Sequence, residues 1–213
     1  MNTYGSVIWD WNGTLLDDVD LSVEVVNELL SEHGVPALTR SRYKDIFDVP
    51  VSLYWERAGL DLSRVNFNEI SSKFCMYFEN RLHRAPLFPA AKQVIKTVCA
   101  VGVRQFLLSS SEQNALCRMV RHYGLDGRFD VVQGMPNTLA QGKSGIGKSL
   151  IERHDLDRRN TIIVGDTIHD AEVARELGID CILLATGHQS KARLATSGYR
   201  VLDSLEALEA ELT

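Results

Sequence analysis

The residues with the clearest chemical potential are aspartates that follow short apolar runs. The run Val7–Trp9 ends on Asp10, and Asn12, Gly13 and Thr14 follow within the next four positions. A buried parallel strand here would carry Asp10 to the carboxyl edge of a sheet, where open α/β proteins place their chemistry. Gly13 permits a sharp turn, and Thr14 offers a hydroxyl beside it. The pattern therefore indicates a functional strand end, although the same residue types also form ordinary β-turns.

A second carboxylate cluster far along the chain favours the functional interpretation. The β-branched run Thr161–Val164 leads through glycine to Asp166, and Asp170 follows four residues later. A helix that begins near His169 would bring Asp170 back toward the same sheet edge. Carboxylates at neighbouring strand ends repel one another unless a cation lies among them, and hard oxygen ligands favour Mg²⁺. The sequence predicts a magnesium site at Asp10 and Asp166, with Asp170 as a further candidate ligand.

Length and composition limit the possible functions. The chain has 213 residues, of which 45% are hydrophobic and 24% charged, as is typical of a soluble globular protein. A net charge of −5 argues against nucleic acid and anionic membrane surfaces as partners. No segment approaches the roughly 20 apolar residues that cross a bilayer, and no leader precedes the first strand, so we expect a cytoplasmic protein. The four cysteines lack a C-x-x-C pair and are interpreted as reduced residues.

Hydrophobic periodicity divides the chain into two kinds of segment. Between residues 18 and 85, apolar residues recur at helical spacing with breaks at glycine and proline, which predicts four helices and no strand. Asp17 and Asp18 are predicted to cap the first of these helices. From residue 86 onward, helices and strands alternate, which predicts a parallel sheet covered on both faces. The fold class is therefore α/β, a doubly wound parallel sheet with a helical insertion after its first strand.

The order of these motifs resembles that of the haloacid dehalogenase-like hydrolases, and in particular their helical-capped phosphoglycolate phosphatase group. The first motif of that superfamily is Asp-x-Asp-Gly-Thr, followed by apolar residues and another Asp. Asp10, Gly13, Thr14 and Asp17 match it, whereas Asn12 does not. The resemblance implies a Rossmann-like catalytic core over residues 1–17 and 86–213, with a helical cap over residues 18–85.

Three further motifs of the superfamily follow in the expected order. The strand that ends in Ser or Thr resembles residues 106–109, which end at Ser109. The lysine upstream of the last acidic motif resembles Lys143, with Lys148 as the alternative, and the loop-like stretch 134–147 is predicted to deliver it. The final Gly-Asp-x-x-x-Asp motif is matched by Gly165, Asp166 and Asp170.

The resemblance implies a role for each matched residue. Asp10 would attack phosphorus and form an aspartyl-phosphate that water then hydrolyses. Lys143 would neutralise the nucleophile and the phosphoryl oxygens, and the backbone carbonyl of Asn12 would be a further Mg²⁺ ligand.

Hydrogen-bond donors near the same strand ends would complete the site. The hydroxyls of Thr14 and Ser109, together with the backbone N–H of Ser110, are predicted to bind the phosphoryl oxygens of the substrate.

Asn12 is the main departure from the family pattern. In family phosphatases the second Asp protonates the leaving oxygen and later activates water, whereas an amide does not exchange a proton at neutral pH. Loss of general acid–base catalysis lowers the rate by a factor on the order of 10² to 10⁴. We therefore predict a phosphohydrolase that acts on a small phosphorylated metabolite. Either its activity on alkyl esters is weak, or its substrate has a good leaving group.

Two other functions stay open at this level. A carbon–halogen or carbon–phosphorus hydrolase would also lack the second Asp. Dehalogenases need no metal, and a phosphonate hydrolase would need a cap lysine, for which Lys44 and Lys73 are candidates. A catalytically weak protein that binds a phosphorylated ligand is the third possibility. His169 and His188 lie at strand ends and could face the pocket, but a structural or capping role is the favoured interpretation. The cap side chains that could select a substrate are Tyr43, Lys44, Trp55, Arg57, Arg81 and Arg84.

Overall fold

The computed structural model describes residues 4–136 and 143–212, and these residues form a six-stranded parallel sheet. The strands are β1 (Ser6–Trp9), β2 (Arg104–Glu112), β3 (Val131–Met135), β4 (Thr161–Gly165), β5 (Asp180–Leu184) and β6 (Arg200–Leu202). They lie in the order β3-β2-β1-β4-β5-β6, so β1 lies in the interior of the sheet and the chain crosses over it.

Helices connect the strands and cover both faces of the sheet. The helices of the described residues are α1 (Val19–Glu32), α2 (Arg40–Ile46), α3 (Val51–Ala58), α4 (Phe67–Arg81), α5 (Ala91–Ala100), α6 (Gln113–His122), α7 (Lys143–Arg153), α8 (Ile168–Leu177), α9 (Lys191–Leu194) and α10 (Leu205–Leu212). None of them is both long enough and apolar enough to cross a lipid bilayer.

The core consists of two apolar layers, one on each face of the sheet. Alternate side chains of β1 pack into different layers. Val7 and Trp9 pack into the layer that includes residues of α1, α5 and α6, whereas Ile8 packs into the layer formed with α7 and α8. All three side chains are fully buried. Because successive strand residues point to opposite faces, a central strand with both faces covered must be apolar throughout. The predicted doubly wound α/β class is confirmed.

The segment between β1 and β2 is helical, as the periodicity predicted. The structure describes every residue of this segment, and no strand of the sheet lies between Trp9 and Arg104. α3 spans residues 51–58, the range that the periodicity predicts, and Thr39 caps α2 by accepting a hydrogen bond from the backbone N–H of Arg42 at 3.1 Å. The division into a core over 1–17 and 86–213 and a cap over 18–85 stays a prediction.

Two elements of the sheet region differ from the expected bounds. The apolar residues predict a strand over 129–132, whereas β3 spans Val131–Met135, and Phe129 is a buried core residue that precedes it. α7 begins at Lys143, inside the predicted loop 134–147, of which residues 137–142 lie outside the described structure. Gly147 suggested a loop, but it lies within α7, where a Cβ would meet Leu177 at 2.9 Å.

Candidate active site

Asp10 lies directly after β1, and its carboxylate is paired with a buried lysine from the first turn of α7. Lys143 Nζ lies 2.5 Å from Asp10 Oδ1 and 2.6 Å from Asp170 Oδ1. Asp10 is 7% exposed, Lys143 4% and Asp170 2%. Buried ion pairs of this kind require close geometry to offset the desolvation of the charges. Lys148 lies on the same helix but is exposed, so the structure places Lys143 in the cluster and Lys148 outside it.

Asp166 completes a cluster of three carboxylates at the ends of β1 and β4. One oxygen of each carboxylate lies within 4.8 Å of the corresponding oxygens of the other two. The hydroxyl of Thr14 lies 3.3 Å from Asp10 Oδ2 and 3.3 Å from Asp166 Oδ1. A hydroxyl has one proton to donate, so Thr14 lies between the two carboxylates and donates to one of them at a time. The convergence of these residues at one sheet edge is as the sequence predicted.

Glycines let the backbone approach the Asp166 carboxylate closely. A Cβ at either Gly13 or Gly187 would collide with this carboxylate, and Gly13 has a φ of +72° that few side chains adopt. The backbone N–H of His188 donates to Asp166 Oδ2 at 2.5 Å. The chain therefore wraps tightly around this carboxylate and fixes its direction.

The electrostatics of the cluster are dominated by burial. Burial raises the pKa of Asp10 and of Asp166 above the usual range for aspartate, and neighbouring carboxylates add to the effect. Burial opposes ionisation of Asp170 as well, but the Lys143 ammonium holds the pKa of this carboxyl below its usual value. A set of buried carboxylate oxygens with excess negative charge fits a hard divalent cation such as Mg²⁺.

Asp170 is held by more contacts than the other carboxylates. Its Oδ1 accepts from Lys143, whereas its Oδ2 accepts from the hydroxyl of Thr167 at 2.7 Å and from the backbone N–H groups of Asp166 and Thr167 at 3.2 and 3.1 Å. These bonds tie the end of β4 to the first turn of α8. Asp170 thus orients Lys143 and the turn that carries Asp166.

Asn12 is held on both sides of its amide. Its Nδ2 donates to Asp18 Oδ2 at 2.9 Å, and its Oδ1 accepts from the Ser111 hydroxyl at 2.9 Å. Asp18 also accepts from the backbone N–H of Gly13 at 2.8 Å. Asp18 takes the predicted N-cap position of α1, but its side chain makes no capping hydrogen bond to the helix, because the carboxylate instead fixes the loop that carries Asn12.

His188 belongs to the same network, although the sequence favoured a structural or capping role for it. Its Nε2 lies 3.3 Å from Asp18 Oδ1, and its Nδ1 lies 2.9 Å from the Tyr43 hydroxyl. Burial lowers the pKa of His188, but Asp18 and Asp166 outweigh this effect and raise it to about 9. The signal in the sequence was that His188 follows a glycine shortly after the end of β5, where side chains of the site converge. His169, by contrast, lies 3.5 Å from Glu172 on α8 and away from this network.

The end of β2 contributes the serines. Ser109 is buried, and its Oγ accepts from the backbone N–H of Ser111 at 3.1 Å, which leaves its own proton available to another acceptor. Ser110 is exposed, and the register of β2 against β3 shifts beyond Leu108. Glu112 caps α6 through the N–H groups of residues 114 and 115, so Ser109 does not cap that helix.

A cavity of about 420 Å³ opens beside Asn12 and Ser110 and extends under the helical segment. Of the predicted cap candidates, Tyr43 and Trp55 line it. The others are engaged elsewhere, and none of them lines it. Arg57 pairs with Asp48, Arg81 with Glu28, Arg84 with Glu24, and Lys44 donates to the carbonyl oxygens of Ala185 and Thr186.

Comparison with known proteins identifies the family. Residues 7–184 match the family model of the haloacid dehalogenase-like hydrolases, and the chain belongs to that family. The predicted resemblance is confirmed.

Individual relatives share the fold at low identity. The chain is 24% identical over 184 residues to the tyrosine-protein kinase PtkA of Mycobacterium tuberculosis, covering 85% of this chain but only 62% of that protein. It is 22% identical over 215 residues to the phosphoglycolate phosphatase of Rhodospirillum rubrum, covering 95% and 88%. The solved structure of CbbY from Rhodobacter sphaeroides, in complex with xylulose-(1,5)bisphosphate, has a TM-score of 0.73 at 20% identity and covers 98% and 99%.

Proposed function

We propose that this protein is a Mg²⁺-dependent phosphohydrolase that acts on a small phosphorylated metabolite through an aspartyl-phosphate on Asp10. The observation that carries the proposal is the Asp10 carboxylate, held by the buried Lys143 beside Asp166 at the end of the central strand. Phosphatases among the relatives support the same reaction class. The chain spans less than two thirds of PtkA, and nothing in the site favours the activity of that protein.

The reaction divides into two displacements at phosphorus. An oxygen of Asp10 attacks the phosphorus, and the bond from phosphorus to the leaving-group oxygen breaks with its electron pair. Water then attacks the phosphorus of the aspartyl-phosphate, which releases inorganic phosphate and restores the carboxylate. Lys143 balances the charge of Asp10 and of the phosphoryl oxygens, while Thr14, Ser109 and the N–H of Ser110 donate to those oxygens.

Asp10, Asp166 and the backbone carbonyl of Asn12 would hold Mg²⁺, with Asp170 as a further candidate in the same cluster. When bound, the ion supplies positive charge that offsets the repulsion between the anionic nucleophile and the anionic phosphoryl group. The present contacts of Asp170 favour a positioning role toward Lys143, since both of its oxygens already accept hydrogen bonds.

Asn12 cannot serve as the general acid, and its amide is already bonded to Asp18 and Ser111. The amide therefore positions the loop and leaves the departing oxygen to take its proton from water. Acyl, aryl and anhydride phosphates suit such a site, because their leaving groups depart without prior protonation.

The direct test is phosphate release from aryl phosphates with and without Mg²⁺, run beside the Asp10→Asn variant. We expect metal-dependent turnover and an alkali-labile phosphoenzyme in the native protein, and neither in the variant. Circular dichroism checks that the variant is folded. Turnover that persists in Asp10→Asn, or phosphate binding without any turnover, would contradict the proposal, and the second result would identify a binding protein.

No observation favours a phosphonate hydrolase. Lys44 donates to backbone carbonyls at the end of β5, and Lys73 of α4 pairs with Glu32 of α1 at 2.9 Å. Neither lysine lines the cavity beside Asn12.

A further inference from the structure

The cavity beside Asn12 is apolar where it extends away from the phosphoryl end. Its wall includes six aromatic rings from α2, α3, α4 and the chain next to α2. These rings are Tyr43, Phe47, Tyr54, Trp55, Phe74 and Phe78. Several of them pack on one another, with centroid distances of 5.4 Å for Tyr43 and Phe47 and 5.6 Å for Phe74 and Phe78. Rings that support one another in this way form a preorganised apolar surface.

The charges around this cavity are almost all negative. The described residues that line it include no lysine or arginine, whereas Asp18, Glu79 and Glu112 contribute carboxylates. His188 is matched by Asp18 at 3.3 Å, and Lys143 is bonded to Asp10 and Asp170. A second anionic group on a substrate would therefore lose its hydration without meeting a free cation, which is costly.

We infer that the cavity binds an uncharged aromatic group, and that the substrates of the proposed phosphohydrolase are aryl phosphate monoesters. This inference rests on the proposed function and adds the chemistry of the leaving group. An apolar cavity of about 150 Å³ holds benzene. The volume of about 420 Å³ thus accommodates one or two rings beside the phosphoryl group.

The amide of Asn12 supports this substrate class independently of the cavity, because it cannot protonate a leaving group. When Asp10 attacks phosphorus, the bond between phosphorus and the aryl oxygen breaks, and the aryloxide leaves with the electron pair and takes a proton from water. An aryloxide is stable enough to depart without a general acid, whereas an alkoxide is not. Phosphoglycolate and xylulose bisphosphate each carry a second anionic group, so the cavity disfavours the compounds in the relatives' names.

The test compares two aryl phosphates that differ in charge. 4-(Carboxymethyl)phenyl phosphate and its primary amide have similar size, and the methylene group keeps their leaving-group acidity similar. We expect kcat/KM to be at least about tenfold higher for the amide, because the carboxylate is desolvated beside other carboxylates. Equal values, or a preference for the carboxylate, would overturn the inference.

A variant pair locates the effect in the cavity. Val51 lines the cavity and is 38% exposed, whereas Leu53 on the same helix is 43% exposed and does not line it. Val51→Lys should raise kcat/KM for the carboxylate probe relative to the amide by about threefold or more, and Leu53→Lys should not. An unchanged ratio in Val51→Lys would place the substrate outside this cavity.

A second pair tests occupancy without a change of charge. Cys75 is an exposed residue of the cavity wall on α4, and the neighbouring Met76 is 51% exposed and does not line the cavity. Cys75→Trp should lower kcat/KM for 1-naphthyl phosphate relative to acetyl phosphate by about tenfold or more, while Met76→Trp should leave this ratio unchanged. Equal loss on both substrates would contradict the inference.

Acetyl phosphate also separates the two proposals. It is an acyl phosphate with no ring, so its hydrolysis reports the proposed function alone. Turnover of acetyl phosphate without preference among the aryl probes overturns only the present inference. Absence of Asp10-dependent turnover on every probe overturns both.

Discussion

At the scale of single residues, the contact between Asn12 and Asp18 bears on proton transfer in the proposed reaction. Asn12 occupies the position at which family phosphatases have an acid, and it donates to the buried Asp18 at 2.9 Å. An aspartate at position 12 would face that carboxylate. Repulsion between adjacent carboxylates favours the protonated form of the introduced side chain. The local environment is thus suited to an acid, although the chain has an amide there.

Asn12→Asp should therefore raise kcat/KM for simple alkyl phosphates by about tenfold or more. General acid catalysis contributes roughly 10²- to 10⁴-fold in rate, and the variant should recover part of this contribution. Aryl phosphates with acidic leaving groups should gain much less. The measurement is kcat/KM across leaving groups of graded pKa, which should fall steeply in the native protein and less steeply in the variant. Asn68→Asp makes the same charge change at an exposed position and serves as the control. A flat dependence in the native protein would show that a proton donor is present after all.

The two candidate lysines of α7 offer a matched comparison. Lys143 is 4% exposed and bonded to two carboxylates, whereas Lys148 is exposed. Lys143→Gln should lower kcat by about 10²-fold or more, because it removes a cation placed to stabilise the phosphoryl transition state. Lys148→Gln should stay within about twofold of the native rate. Similar rates for the two variants would contradict the assignment of Lys143, and thermal unfolding shows whether each variant is folded.

The residues that sequence patterns identified are those whose position follows from strand ends. Asp10, Thr14, Asp166 and Asp170 converge because parallel strands bring their carboxyl ends to one edge. Asp18 was interpreted as a helix cap, because an acidic residue directly before a helix usually has that role. Its contacts with Asn12 and His188 join residues that are brought together only by the tertiary structure.

At the scale of elements, the loops after β1 and β5 work as a pair around Asp166. Both reach this carboxylate through a glycine, so their backbones set its position. Helical periodicity predicted α3 and the helical segment well. It failed at the start of α7, because a glycine there serves close packing against Leu177 and does not break the helix.

Gly187→Ala should weaken Mg²⁺ activation and lower kcat/KM by about tenfold or more, because its Cβ would collide with the Asp166 carboxylate. Gly178→Ala is the control. Gly178 has a φ of +68° and open space around it, so the substitution should cost about 1 kcal/mol of stability and leave activity unchanged. The measurements are the Mg²⁺ dependence of turnover and thermal unfolding. Equal Mg²⁺ activation in Gly187→Ala and the native protein would contradict this account of the loop.

At the scale of the whole molecule, the alternation of helices and strands was enough to predict the parallel sheet and its two covered faces. The apolar cavity could not be predicted, because its wall combines residues from α1 to α4 and from α6 with His188, which are far apart along the chain. Its aromatic residues also satisfy helical periodicity as ordinary core residues would. Only the assembled fold shows which rings face the site.

Because the carboxylate cluster joins the ends of separate strands, a cation bound there should stabilise the entire fold. Ligand binding to the native state contributes about 2.7 kcal/mol at a hundredfold excess over Kd, which corresponds to a rise of about 5–10 °C in Tm for a chain of this size. Differential scanning calorimetry should show this rise on adding Mg²⁺ and its reversal by EDTA. Asp166→Asn should abolish the rise, whereas Glu172→Gln, at an exposed position on α8, should retain it. A Tm that does not respond to Mg²⁺, or a rise that persists in Asp166→Asn, would contradict a metal site at Asp10 and Asp166.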